Sequence, residues 1–349
     1  MAVSAESKPN IRRIICRSIP LSRPFCVIGN INVLAPLTSG YFPAQKPYDR
    51  TTPPMEQGVP SRDGRRVFAV GGTSRAEIVC FDPRARQFGL CLFDLSATDL
   101  NFSRDGRWLT YVDYADHTLW RSKVDGTERL QLSPTGMLVE HPQFSPSGKQ
   151  IAFAGTRPGD SYHVYLVSID GGGFEQLTKG GNDERWLSWS PDGDTIAFGR
   201  YDDINADNQS LIQFLHLSTR RISSLPGTQQ LSFPQWSPNG HYIAVISVKD
   251  FKLFVLDPIS GKSTQLGDMG VDRIYWSNDS RYVYFNSLSA GEPAISRVSV
   301  STHKIERVAS LAGVRRSPWG WTGLAPDDRL LAVRSLSNVE IYALDWQAP

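Results

Sequence analysis

Eight residues of this 349-residue chain carry a charge or an indole where a regular strand pattern does not require one: Glu140, His141, Arg185, Arg200, Asp202, Lys249, Arg273 and Trp319. Carboxylate, imidazole, cation and aromatic ring together suit a peptide, a protein segment or a polar small molecule, held by ion pairs, hydrogen bonds and apolar contact. The competing reading is that the Arg and Asp side chains stitch neighbouring segments together. Bond-breaking chemistry has weaker support. The chain has no Gly-x-Ser-x-Gly elbow, no His-Glu-x-x-His, no Cys-x-x-Cys and no glycine-rich phosphate loop. The six histidines (His117, His141, His163, His216, His241 and His303) fall at different repeat positions and read as surface or hydrogen-bonded groups rather than metal ligands. Asp203-Ile204-Asn205-Ala206-Asp207-Asn208 places oxygen ligands at alternate positions as a calcium loop does, but Asn208 replaces the required Gly and Phe214 the closing Glu. It reads as a solvated loop. The expectation is a non-catalytic binding or sensor protein, not an enzyme, with no metal and no cofactor. The alternative is a lyase or lactone hydrolase working at the same mouth.

What positions these side chains is a repeat. A Ser-Pro-Asp-Gly-like phrase recurs at Ser61, Ser103, Ser145, Ser190, Ser237, Ser277 and Ala325, at intervals of 40 to 48 residues. Ser190-Pro191-Asp192-Gly193 shows the mechanism: Pro has the fixed φ of the first turn position and Gly accepts a positive φ. Gly is lost at Ser280 and Asp328, where the left-handed conformation is harder to reach. Six and eight residues after each anchor stand apolar side chains, such as Ile196 and Phe198, the period of a strand with one buried face. Third strands such as Val164–Val167 and fourth strands such as Glu175–Thr178 complete each unit. The expected fold is all-β: a single seven-bladed β-propeller of four-stranded antiparallel blades. The loops from fourth to first strand and from second to third strand then share one face, and the eight residues lie there, around the channel mouth.

Trp189–Phe198, with Tyr165–Gly172 and Leu177-Thr178, resembles the WD-like propeller repeat of TolB and its relatives. Gly323–Asp328 with Glu340–Trp346 is similar to a bacterial subgroup in which such propellers form the C-terminal, sensor-like region of winged-helix transcriptional regulators. That resemblance implies a detached regulator region that binds a partner, and a periplasmic place if the chain is part of a membrane-anchored protein. It runs from about Gly58 to Pro349. Residues 1–46 form a head outside it, and 47–349 the propeller. Within the head, Ile31–Thr38 ends like the fourth strands and is the first candidate for the strand that closes the last blade.

Composition agrees with this organisation. A net charge of +2 leaves no nucleic-acid footprint, and no apolar run reaches the roughly 18 residues of a membrane span. Arg17, Arg23 and Pro24 interrupt the apolar start too early for an export signal, which reads as cytoplasmic. The expected state is a monomer. Cys80 and Cys91 can face each other across adjacent strands, but reduced, packed thiols are the expectation.

Overall fold

The computed structural model describes residues 11–13, 55–62, 66–92, 95–201, 210–287, 292–315 and 320–345. Every regular element among them is a β-strand. The chain divides into two compact units, Arg75–Leu336, and Met1–Ser74 with Ser337–Pro349.

The larger unit holds six sets of four antiparallel strands among the described residues. Sheet I comprises Ala97–Phe102, Trp108–Asp113, Leu119–Lys123 and Leu130–Gln131. Sheet II comprises Leu138–Phe144, Gln150–Thr156, His163–Ser168 and Phe174–Gln176, and sheet III Asp183–Trp189, Thr195–Tyr201, Leu211–His216 and Arg221–Ser224. Sheets IV and V share the long strand Ser263–Trp276, which first pairs with Lys252–Leu256 and then with Tyr282–Ser287. Leu231–Trp236 and Ile243–Ser247 complete sheet IV, and Ala294–Ser299 and Ile305–Ser310 complete sheet V. Sheet VI joins distant parts of the chain, in the order Thr322–Leu324, Leu330–Ser335, Ala76–Asp82, Gln87–Leu92.

Seven anchors therefore do not give seven alike blades in this unit. Between Arg66–Thr73 and Ala76–Asp82 stand only Ser74 and Arg75, and between Leu330–Ser335 and Asn338–Asp345 only Leu336 and Ser337. Neither pair offers the Gly, Asn or Asp that a two-residue reversal needs. The strands on either side do not pair with each other. Ala76–Asp82 pairs instead with Leu330–Ser335, Cys80 opposite Leu331. The smaller unit's sheet, taken by itself, runs Ile11–Arg13, Asn338–Asp345, Arg66–Thr73, Met55–Pro60. The candidate closing strand, 31–38, lies outside the described residues.

Six apolar clusters fill the spaces between successive sheets, including one between VI and I built on Ile78, Leu331, Leu109 and Tyr111. Second strands are buried on both faces, not one. In Gln150–Thr156, Ile151 and Phe153 join the cluster toward sheet I, whereas Ala152 and Ala154 join the cluster toward sheet III. Alternation along such a strand separates two cores rather than core from water.

Each anchor serine closes its own turn. The Ser103 hydroxyl accepts the Trp108 N–H (2.9 Å) and donates to Asp105 (2.6 Å), and Ser237 and Ser277 repeat the pattern. Three residues after the anchor, Gly106, Gly148, Gly193 and Gly240 have φ of 68–79°, and Ser280 and Asp328 adopt the same conformation at 59° and 60°. Cys80 and Cys91 are joined as a disulfide, Cα atoms 5.7 Å apart, which corrects the expectation of free thiols. They lie on adjacent strands, Cys91 at the irregularity where Leu90 opposes Val79 and Leu92 opposes Ile78.

Candidate functional site

The first strands of sheets I to V each bulge. A bulge of this kind needs a residue in the left-handed region, normally glycine. Here the residues four before the anchors are Asp99, His141, Trp186, Phe233 and Arg273, with φ of 49–58°. Trp321 stands at the same offset in sheet VI. These six side chains line one end of a cavity of about 710 Å³ in the larger unit, whose other lining residues run from three before to one after each anchor.

Half of this ring is ionic. Arg273 Nη1 donates to Asp99 Oδ1 (3.2 Å) and to His141 Nε2 (3.4 Å), and the main-chain N–H of His141 donates to Asp99 Oδ2 (3.3 Å). Because a guanidinium cannot accept, His141 Nε2 carries the lone pair and Nδ1 the proton. That Nδ1 is buried without a hydrogen-bond partner, 3.8 Å from Glu140 Oε2. Burial pushes the His141 pKa down, and the Arg273 charge adds to this against the opposing pull of Asp99. Burial would raise the Asp99 carboxyl, but the attraction of His141 once it is protonated at acid pH, and of the permanently charged Arg273, holds it below its ordinary value. The other half is aromatic: Trp186 packs on Phe233 with centroids 4.1 Å apart, and His141 meets Trp186 edge-on at 6.0 Å. Gly323 leaves its place to Trp321, since a Cβ there would lie 2.3 Å from the indole.

Of the sequence-derived set, His141 and Arg273 line the cavity. Glu140 and Arg185 meet beside His141: Arg185 Nη1 lies 3.3 Å from Glu140 Oε2, its Nη2 2.9 Å from Asp183 Oδ2, and its guanidinium 3.7 Å above the Tyr162 ring. Tyr162 donates to Glu140 (3.1 Å), and burial, then the Glu140 charge, raises its pKa. Arg200, opposite Glu184 in the ladder, and Lys249, exposed in a turn, are not among the lining residues. Asp202, Trp319 and the calcium-like stretch 203–208 lie outside the described residues. Among the described residues, no three His, Cys, Asp or Glu side chains group to hold a metal ion. Asp99, Trp186 and Phe233 are lining residues that the sequence reading leaves out, although a fixed offset from the anchors marks them.

No family model matches the chain. A solved structure described as a putative TolB from Agrobacterium tumefaciens superposes with a TM-score of 0.62 at 20% identity, over 76% of this chain and 99% of that one. The fold is that of the TolB-like β-propellers. A TolB homolog from Chlorobium luteolum is 32% identical over 158 residues, 44% of this chain and 35% of its own length. Dipeptidyl-peptidase 5 from Porphyromonas gingivalis is 30% identical over 138 residues, 35% of this propeller chain and 20% of the peptidase. The chain thus spans a fifth to about a third of these two curated relatives. The peptidase overturns the expectation that the chain is not an enzyme, because the relatives include one.

Proposed function

We propose that the larger unit is a six-bladed propeller that receives a segment of polypeptide in its central cavity, with Asp99, His141, Trp186, Phe233, Arg273 and Trp321 as the contact ring. One observation carries this reading. Five successive sheets hold a bulky or charged residue in a backbone conformation that glycine adopts at lower cost, and all five side chains line the same cavity. The name of one relative, a dipeptidyl-peptidase, supports polypeptide as the ligand class. In this reading Glu140 and Arg185 hold the polar side of the ring in place. Arg200 and Lys249 belong to a second contact surface on the loop face. The likeness to winged-helix regulator propellers is part of the same proposal, and the reading frame upstream of Met1 tests it.

The test is a titration with a panel of defined octapeptides, followed by tryptophan fluorescence and calorimetry. Saturable binding is expected, and it should be lost when Trp186→Ala and Phe233→Ala are combined in a variant that still folds. Mass spectrometry of the same mixtures reads whether the bound segment is also cut. Absence of binding by every peptide, or undiminished binding to the folded double variant, overturns the reading.

A further inference from the structure

Two residues before each anchor the cavity has a second layer: Asn101, Gln143, Ser188, Gln235, Tyr275 and Gly323. Three of its polar side chains are committed to the neighbouring sheet, Tyr275 through a hydroxyl–hydroxyl hydrogen bond to Thr322 that ties V to VI. Asn101 Oδ1 accepts the Phe144 N–H (2.9 Å), tying sheet I to II, and Ser188 Oγ accepts the Trp236 N–H (2.9 Å), tying III to IV.

At the two intervening junctions another group makes the tie. The Trp189 indole N–H donates to the Gln143 main-chain carbonyl (3.2 Å), and the Trp276 indole N–H to that of Gln235 (2.8 Å). The main chain of each glutamine therefore holds the next sheet, and its side chain is released from that work. Both carboxamides are half-buried, line the cavity and have no hydrogen-bond partner among the described residues. A carboxamide offers two N–H donors and an acceptor oxygen on one planar group. A peptide unit presents the matching acceptor and donor.

We infer that Gln143 and Gln235 read the main chain of an extended peptide, in a way indifferent to its side chains, while the aromatic wall supplies contact area. This deepens the function proposed above and rests on it. Of the charged lining residues, Asp99 and Arg273 pair with each other, and Arg104 stands at the opposite end with no ion-pair partner among the described residues. The cavity therefore favours an acidic segment.

The experiment alters the ligand first. A blocked octapeptide of alternating Gly and Glu is titrated against the full chain by tryptophan fluorescence, beside the same peptide N-methylated at every second residue. Losing donors from the main chain should weaken binding about tenfold or more. Gln143→Leu and Gln235→Leu variants, checked for unchanged thermal unfolding, should weaken the unmodified peptide similarly and abolish the difference between the two probes. Equal binding of both probes to the unaltered chain overturns main-chain reading and leaves the polypeptide cavity standing. Should the variants fail to fold, the two-probe comparison on the unaltered chain still decides. If neither this peptide nor any of the panel binds, the function itself falls with the inference.

Discussion

Among the places where the left-handed backbone conformation recurs are the anchor turns and, in sheets I to V, the channel bulges, and the residues chosen for it there differ. In the anchor turns glycine holds it at Gly106, Gly148, Gly193 and Gly240, with Ser280 and Asp328 as the exceptions. On the channel side glycine never does. Aspartate, histidine, tryptophan, phenylalanine and arginine hold it, at a cost of roughly 1–2 kcal/mol each relative to an unstrained residue. A turn needs only the conformation, so the residue that adopts it most cheaply is used. The channel needs the side chain as well, and the conformation aims it.

The largest effect that sharpens this contrast is on binding. Combining Trp186→Ala with Phe233→Ala should weaken peptide binding by about thirtyfold or more, the scale of an aromatic hot spot of about 2 kcal/mol, measured by calorimetry. A smaller effect is expected on stability alone from Gly193→Val. Its φ of 79° is unfavourable for a branched side chain, and about 1–2 kcal/mol should be lost in urea unfolding with peptide affinity unchanged. If that variant lost binding as severely as the aromatic pair, the division between turn and channel would be wrong.

Comparing Trp186→Gly with Trp186→Ala isolates the backbone contribution. Both lose the ring and its contacts, but glycine relieves the φ of 52°, so the Gly variant should be more stable by about 1 kcal/mol. Equal stability would remove the strain argument.

The pH dependence separates the regions last and least. His141 has a folded pKa below its ordinary 6.5, so on acidification the unfolded chain takes up this proton first and stability falls from pH 6.5 downward. The turn carboxylates Asp105 and Asp279, held at about 2 by the anchor serine hydroxyls and neighbouring N–H donors, contribute stability that persists above 3.8 and is lost only as pH falls toward 2. In His141→Gln the urea midpoint should lose its slope between pH 6.5 and 3.8 and keep the lower one. An unchanged profile would show that His141 is not the group under strain.

The turn phrase, the apolar residues six and eight positions on, and the four-strand spacing are local patterns, and the sequence determined from them an all-β propeller repeat and the anchor turns. It also singled out Glu140, His141, Arg185 and Arg273, but as members of the loops that lead into first strands, whereas they stand within the first strands themselves, at the bulges. Tertiary structure decided what depends on partners remote in sequence. Ala76–Asp82 leaves its own repeat to pair with Leu330–Ser335, since nothing in Ser74-Arg75 or Leu336-Ser337 turns the chain back. The Cys80–Cys91 bond depends on the cross-strand register of that same sheet. Asp99 and Arg273 are 174 residues apart yet share a hydrogen bond. Trp186 and Phe233 are ordinary strand aromatics in sequence, and only the bulge turns them into the cavity. A repeat specifies its own turns through nearest neighbours, whereas the ring of side chains exists only once six sheets bring equivalent positions to a common centre.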